Sequence, residues 1–174
     1  MLQMYNKLLE LPLFIGISNT ELADIVGNTK FGFHKLSEGK ILVKEDEKCE
    51  QLYFLVSGSL RVLSRADNHR YSIEEQLKAP AVIQPEHFFG LIQHHTKTFS
   101  AATACSLLSL DKTEVLRLMD ESFIFRLNFL NTVSMQAQKG SHYPWRQQPT
   151  DIRDQFISFI RLRCMTQAGP KVLR

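Results

Sequence analysis

The sequence predicts a mainly β fold, a double-stranded β-helix (jelly roll) with flanking helices, followed by one long helix. Residues 31–110 contain roughly eight short apolar or alternating segments, with turn residues about every 8–12 positions, as in a closed sandwich or jelly roll. On either side of this region apolar residues recur with a period near 3.6, which indicates helices. A chain of 174 residues is long enough for one well-buried core and a short appendage.

Two short helices are predicted before the strands. Residues 2–9 have an amphipathic pattern. Ser18 can accept a hydrogen bond at the start of a second helix, and Glu21 follows three residues later, which is the spacing of a capping box. This second helix is predicted over residues 21–26, and it ends at Gly27-Asn28.

The clearest strand pair surrounds Ser57-Gly58. Residues 52–56 are nearly all apolar, as in a strand that is buried on both faces, and residues 59–63 alternate between polar and apolar side chains. Gly58 can adopt the positive φ that a tight turn requires. The segment therefore predicts a β-hairpin. The other predicted strands are residues 31–36, 41–43, 70–77, 81–83, 100–104 and 107–110.

Helices are predicted again from Asp111 onward, because this residue can cap a helix that carries Val115, Leu116 and Met119. A longer helix is predicted over residues 122–139, with two apolar stripes. One stripe comprises Phe123, Leu127 and Leu130, and the other comprises Phe125, Phe129 and Val133. Two stripes need two packing partners. The barrel is one, and a second copy of the same helix is the other, so all six residues are candidates for a dimer interface and the sequence leaves open which stripe forms it.

The predicted domain organisation has four parts. Residues 1–121 form the β-roll domain, residues 122–139 the dimerisation helix and residues 140–149 a connector that begins at Gly140 and contains two prolines. Thr150-Asp151 then caps a last helix, which belongs to a final segment of residues 150–174.

Charge is unevenly distributed along the chain. Residues 1–138 contain 14 basic and 16 acidic side chains, whereas residues 139–174 contain 7 basic and 2 acidic ones, a net charge of +5. A basic C-terminal segment favours contact with an anion, first of all nucleic acid, and the alternative is a solvated helix face. Contacts to phosphates alone would make this binding weak and independent of sequence.

The chain resembles the CRP/FNR family of bacterial transcription regulators over residues 12–174. The resemblance rests on the order of the elements and on five segments: Leu-Pro-Leu-Phe (11–14), Glu-Gly-Lys-Ile-Leu (38–42), Leu-Tyr-Phe-Leu-Val-Ser-Gly-Ser-Leu-Arg-Val (52–62), Phe-Phe-Gly (88–90) and Ser-Ala (100–101). It implies a jelly roll of the cyclic-nucleotide-binding-domain type, a homodimer, and DNA as a partner through a C-terminal helix-turn-helix. That motif is absent from these 174 residues, so residues 150–174 resemble only its beginning.

The resemblance also implies where a ligand would bind. In this family a Gly-Glu pair opens the cassette that holds a cyclic nucleotide, and Arg-Ser/Thr-Ala closes it. The arginine pairs with the cyclic phosphate and the glutamate accepts a hydrogen bond from the ribose 2′-hydroxyl. Here Phe89-Gly90-Leu91 stands at the start and Phe99-Ser100-Ala101 at the end.

Leu91 and Phe99 replace the ribose and phosphate partners, so the cassette is predicted to be degenerate and the chain not to respond to cyclic AMP. Lys97 is the alternative phosphate partner that the sequence leaves open. The remaining pocket is predicted to be apolar. Its expected lining is Phe88, Phe89, Leu91, Ile92 and Phe99.

No metal site or other cofactor is predicted. His87, His94 and His95 lie near the cassette, but no carboxylate or thiol stands at ligand spacing, so they are interpreted as surface-loop residues. The three cysteines are far apart and form neither an iron–sulfur cluster motif nor a disulfide framework.

The leading hypothesis is a regulatory domain without enzymatic activity, which binds an unknown small molecule or none. With no signal peptide and no apolar run near the roughly 20 residues of a membrane span, a cytoplasmic homodimer without membrane contact is expected. One alternative is a stand-alone dimeric β-roll that binds another protein. The other is a cupin-like metal enzyme, for which His34 and His69 are the only strand-adjacent histidines.

Overall fold

The computed structural model describes residues 2–65, 72–141, 151–153, 156, 157 and 160. The helices are α1 (Leu2–Leu9), α2 (Asn19–Asn28), α3 (Lys112–Glu121) and α4 (Phe123–Ser141), and a short 3-10 helix spans Pro85–His87. The strands are β1 (Gly32–Leu36), β2 (Ile41–Val43), β3 (Gln51–Ser57), β4 (Ser59–Arg65), β5 (Ser72–Lys78), β6 (Ala81–Val82), β7 (Thr98–Ala101) and β8 (Cys105–Asp111).

The eight strands form two antiparallel sheets of four strands each. One sheet has the order β1-β8-β3-β6 and the other has the order β2-β7-β4-β5. Two antiparallel sheets with crossovers between sequence-distant strands are the arrangement of a jelly roll. The predicted fold class, mainly β with flanking helices and a following long helix, is therefore confirmed.

The strand pair around Gly58 is not a hairpin, and this prediction is wrong. β3 pairs with β8 and β6 in one sheet, whereas β4 pairs with β5 and β7 in the other. Gly58, with a φ of +88°, carries the chain from the first sheet to the second. Two strands joined by a glycine have the same local sequence pattern in a hairpin and in such a crossover. The crossover forms here because β3 pairs with β8, a strand distant in sequence, and not with β4.

The predicted helix starts agree with the structure. The Ser18 hydroxyl accepts from the amide of Glu21 at 3.2 Å, and the Asp111 carboxylate accepts from the amide of Glu114 at 2.8 Å. Each bond satisfies one of the free amides in the first turn. α4 extends to Ser141, two residues beyond the predicted end, so Gly140 lies inside the helix.

Two apolar clusters stabilise the residues of the roll, and alternate side chains of β3 belong to different clusters. Leu52 and Phe54 pack with the residues of α1 to α4, while Leu55 packs with residues of β2, β4, β7 and β8. Successive side chains of a strand point to opposite faces, so β3 contributes to both cores. In the first cluster the Phe14 ring lies 5.2 Å from Phe125 and 5.7 Å from Phe54, between ring centroids.

The two stripes of α4 have different surroundings. Phe125 and Phe129 are buried, at 0% and 5% exposure, in the cluster that contains residues of α1 to α4, here called the helix-side cluster. Val133 packs against the same cluster. Phe123, Leu127 and Leu130 are exposed at 65%, 43% and 53%. Phe125 and Phe129 therefore have almost no surface with which to contact a second chain, which corrects their assignment as interface candidates.

Contacts divide the chain into two units, residues 1–133 and residues 134–174. Residues 134–141 continue α4. Residues 142–149 of the predicted connector and most of the predicted last helix lie outside the described residues, and the domain boundaries at 139 and 149 stay predictions. Within the described part of the chain, no helix is both long and apolar enough to cross a membrane.

Candidate functional site

The start of the predicted cassette lies on a turn beside α4. The Phe89 ring packs on Phe129 with 5.8 Å between ring centroids. Gly90 has a φ of +93°, and its carbonyl accepts from the Gln93 side-chain amide at 2.8 Å, which closes the turn. Leu91 follows at 99% exposure. Phe89 therefore connects this segment to the long helix, and Leu91 points to solvent.

The end of the predicted cassette lies on β7. Phe99 pairs with Val43 on one side and Val62 on the other, and its side chain is 3% exposed. Ser100 is half-buried, and buried Ala101 exchanges backbone hydrogen bonds of 2.8 Å with Gly39 and Lys40. Phe99 and Ala101 therefore belong to the apolar cluster that also contains Leu55.

The predicted apolar pocket is not assembled as a set. Phe88 belongs to the helix-side cluster and Phe99 to the other one, while Leu91 and Ile92 are exposed. The segment from Pro85 to His87 forms a 3-10 helix, and the loop that follows it leaves Leu91 and Ile92 exposed.

Lys97 forms an ion pair with a neighbouring strand. Its Nζ lies 3.6 Å from Glu75 Oε2, with the lysine side chain 39% exposed. The ammonium is thus directed at the carboxylate of β5 in this structure. A role as stand-in for the phosphate-binding arginine would require this pair to open.

The three histidines near the cassette differ in burial. His94 is exposed and His87 is half-buried, but His95 is 3% exposed, so its interpretation as a surface residue is wrong. The amide of His95 donates to the Glu47 carbonyl, and the His95 carbonyl accepts from the Asp46 amide, both at 2.8 Å. These two bonds hold the chain at His95 against the loop between β2 and β3.

The His95 ring is oriented by a glutamine. Its Nδ1 lies 3.0 Å from Gln84 Oε1, and the Gln84 side-chain amide donates to Thr96 Oγ1 at 2.7 Å. Because the amide nitrogen of Gln84 is committed to Thr96, its oxygen faces the ring and Nδ1 is the donor. The lone pair of the neutral ring is therefore on Nε2. Gln84 itself has a φ of +42°, an uncommon left-handed conformation for a residue with a side chain.

Burial lowers the pKa of His95 below its ordinary value of 6.5; nearby His87 lowers it further and Glu47 opposes the shift. Between the lowered pKa and 6.5 the unfolded chain binds more protons than the folded chain, so stability is lost as pH falls through this window. We expect the free energy of unfolding to decrease from pH 7 to about pH 5, and His95→Gln to reduce that decrease. Urea unfolding at several pH values measures it. His94→Gln is the matched control, and an unchanged pH dependence in His95→Gln would contradict the assignment.

A polar cleft of about 480 Å³ opens beside His95. It is lined by Leu42 and Val43 of β2, Gln51 and Tyr53 of β3, the loop residues Glu47, Lys48 and Glu50, and by His95 and Asp111. None of the six predicted cassette residues lines it. Sequence reasoning missed this cleft, because its residues come from four separate stretches of the chain, 42–43, 47–53, 95 and 111.

The described residues contain no group of three or more histidine, cysteine, aspartate or glutamate side chains that could hold a metal ion. Burial raises the pKa of the Cys49 thiol to about 11, with nearby Lys112 opposing the shift and Glu86 adding to it. A thiol with this pKa is protonated near neutral pH and is a poor nucleophile. One carboxylate oxygen of Glu86 is buried without a hydrogen-bond partner in the described part of the chain.

A comparison with protein families identifies the fold region. The model of the cyclic nucleotide-binding domain matches residues 33–122, which is more than half of the chain. The chain belongs to the cyclic nucleotide-binding domain family. The matched residues extend from β1 to the end of α3 and contain all six cassette residues. A comparison with curated proteins finds no match.

Solved structures with the same fold include transcription regulators. The catabolite activator protein of Thermus thermophilus is 17% identical, with a TM-score of 0.65, and the alignment covers 85% of this chain and 63% of that protein. The sensor domain of the regulator DNR from Pseudomonas aeruginosa is 15% identical, with a TM-score of 0.65, over 84% of this chain and 97% of that one. A transcriptional regulator from Thermotoga maritima is 18% identical, with a TM-score of 0.56, over 84% and 98%.

These likenesses show a shared fold. This cyclic nucleotide-binding domain has the architecture of regulatory domains of transcription regulators, as the resemblance to the CRP/FNR sensor half predicts. It spans less than two thirds of the Thermus protein and nearly all of the DNR sensor domain.

Proposed function

We propose that this chain is the sensor domain of a dimeric DNA-binding transcription regulator, and that its cassette does not hold a cyclic nucleotide. Membership of the cyclic nucleotide-binding domain family and a fold shared with transcription regulators support a regulatory role rather than an enzymatic one. DNA would be bound through a helix-turn-helix outside these 174 residues, and the occupant of the sensor site, if any, would be a different small molecule.

The observation that carries this proposal is the burial of Phe99. The family resemblance places the phosphate-binding arginine at this position. Here Phe99 lies on β7, between β2 and β4, and its ring is 3% exposed in the apolar cluster that contains Val43 and Leu60. A cyclic phosphate brought to this position would lose its hydration without gaining a cation, which costs several kcal/mol.

The other two candidate partners are also unsuitable. Leu91 has no acceptor for a ribose hydroxyl, and its side chain is directed to solvent. The Lys97 ammonium is paired with Glu75. A ligand would therefore have to break an existing ion pair to recruit Lys97.

We expect no saturable heat when this protein is titrated with cyclic AMP or cyclic GMP in a calorimeter, because Phe99 replaces the arginine that would pair with the phosphate. A dissociation constant of about 10⁻⁶ M or below would contradict the proposal. In that event Lys97→Ala would identify the stand-in if it abolished the binding. Lys40→Ala, which removes an exposed lysine, is the matched control.

A homodimer through α4 is the second part of the proposal. Phe123, Leu127 and Leu130 are separated by four and three positions, the spacing with which helices pair side by side. All three are exposed in the isolated chain. Such a stripe is larger than the single apolar residues that monomers usually expose.

A packing contact offers a route from the sensor site to the dimer. Phe89 rests on Phe129, and Phe129 lies on the buried side of the helix whose other side carries Leu130. A ligand that displaced Phe89 would change the packing of α4 and thereby the orientation of two attached DNA-binding halves.

A further inference from the structure

The turn that follows Gly90 exposes two large apolar side chains. Leu91 is 99% exposed and Ile92 is 65% exposed. The surrounding residues 88–96 contain no lysine, arginine, aspartate or glutamate. A shortage of charged residues distinguishes the centre of a protein–protein interface from the rest of a protein surface. The composition of this turn is therefore that of a contact surface.

The exposed turn is held in place at both ends. Before it, Phe88 is buried at 1% exposure. After it, the Gln93 carbonyl accepts from the Cys49 amide at 2.9 Å, and the Gln93 side-chain amide donates across the turn to the Gly90 carbonyl at 2.8 Å. A segment whose conformation is fixed before binding loses little entropy when it docks. Leu91 and Ile92 are thus presented in a defined conformation.

The apolar stripe of α4 is too small to form a stable dimer interface alone. The exposed fractions of Phe123, Leu127 and Leu130 are 65%, 43% and 53%, which together are less than two whole residues. This is at most about 400 Å², even if each residue had the area of an aromatic side chain. A standard interface buries about 800 Å² per partner, and in homodimers about two thirds of that area is apolar. A dimer through α4 therefore needs further apolar surface.

The exposed turn lies where it can supply this surface. The Phe89 ring lies 5.8 Å from that of Phe129 on α4, between ring centroids. Leu91 follows Phe89 by two residues, a span of at most about 7 Å. Because the axes of paired helices are about 8–10 Å apart, a helix that packs on the stripe comes within reach of the turn. The exposed fractions of Leu91 and Ile92 together are as large as those of the whole stripe.

We propose that the turn of Leu91 and Ile92 docks on α4 of a second copy of this chain. In a symmetric dimer each copy then contributes one stripe and one turn to the same interface. This inference rests on the proposed dimer through α4 and deepens it, because it makes the start of the cassette part of the interface. A ligand bound at the cassette would thus change the contact between the two chains directly.

Leu91→Asp tests the inference on the full chain. It should raise the dissociation constant of the dimer about tenfold or more, because it places a charge in an apolar contact in both copies. Ile92→Asp should act in the same direction. Ile41→Asp is the matched control, since Ile41 is 49% exposed on β2, and it should change the constant less than about twofold. Light scattering over a dilution series measures the constant, and circular dichroism verifies that each variant is folded.

A photo-crosslinking residue at position 91 identifies the surface that the turn contacts. With p-benzoylphenylalanine in place of Leu91, irradiation should give a covalent dimer. Mass spectrometry of this dimer should find the crosslink on residues of α4, which spans Phe123–Ser141.

The outcomes separate this inference from the proposed function. If Leu127→Glu dissociates the dimer and Leu91→Asp does not, the turn lies outside the interface and the dimer through α4 stands. Equal weakening by Leu91→Asp and Ile41→Asp, or a crosslinked dimer without α4 residues, would also overturn the docking of the turn on α4. A wild-type chain that is monomeric at about 10⁻⁵ M would refute both the docking and the dimer.

Discussion

Gly58→Ala is expected to lower the free energy of unfolding by about 3 kcal/mol or more. Two effects add at this position. Its φ of +88° disfavours any residue with a Cβ, and a Cβ built there would lie 2.4 Å from the Ala104 carbonyl oxygen and 2.9 Å from Cys105 Sγ. The nearest of these atoms belongs to backbone next to β8, so it cannot move aside as a flexible side chain would. Urea unfolding followed by circular dichroism measures the loss.

Gly39→Ala separates the two effects. Gly39 has a φ of +78°, but a Cβ there would meet no atom within 4 Å. Its replacement should therefore cost only the backbone strain, about 1 kcal/mol. Equal destabilisation by the two substitutions would show that the crossover at Gly58 is not tightly packed against residues 104 and 105.

Leu127→Glu is expected to convert a homodimer into a monomer and to raise the dissociation constant about 100-fold or more. Leu127 is 43% exposed in the middle of the stripe that also contains Phe123 and Leu130. In a symmetric dimer the substitution occurs twice and brings two like charges to an apolar contact, and each unpaired charge costs more than 1 kcal/mol. Light scattering over a dilution series measures the change.

Leu116→Glu is the matched control for this prediction, because Leu116 is 52% exposed on α3 and lies outside the stripe. It should leave the dimer intact. A wild-type protein that is monomeric at about 10⁻⁵ M, or a Leu116→Glu variant that dissociates equally, would refute an interface on α4. Phe125 and Phe129 are unsuitable positions for this test, since a charge there would disrupt the core.

Features that depend on neighbouring residues could be predicted from the sequence. The helix caps at Ser18 and Asp111 are examples, because a cap needs only a side chain and an amide three positions later. The positions of the eight strands along the chain could also be predicted, since they follow from alternating side chains and turn residues. The separation of β3 and β4 into different sheets could not, because β3 pairs with β8 and β4 with β7, and both partners are distant in sequence.

The candidate site was less predictable than the fold. Both stripes of α4 are apolar, so the sequence does not distinguish them. In the structure Phe125 packs in the cluster that contains Phe14, whereas Leu127 is exposed. The adjacent residues His94 and His95 could be assigned to opposite sides, but the sequence does not tell which side is buried. The buried one, His95, is hydrogen-bonded to Gln84, and a glutamine eleven positions earlier carries no sequence signal for such a contact.

The position of β8 in the first sheet has a consequence for the folding of this protein during its synthesis on the ribosome. β8 lies between β1 and β3, so β1 has no sheet partner until β8 is made, and the hydrogen bond between His34 and Ser109 joins residues 75 positions apart. At the usual speed of translation this interval lasts roughly 4–15 s. During that time β1 and its exposed Phe33 have no partner strand, and other nascent chains can pair with them. The yield of this protein should therefore depend more on the supply of chaperones than on the stability of the folded chain.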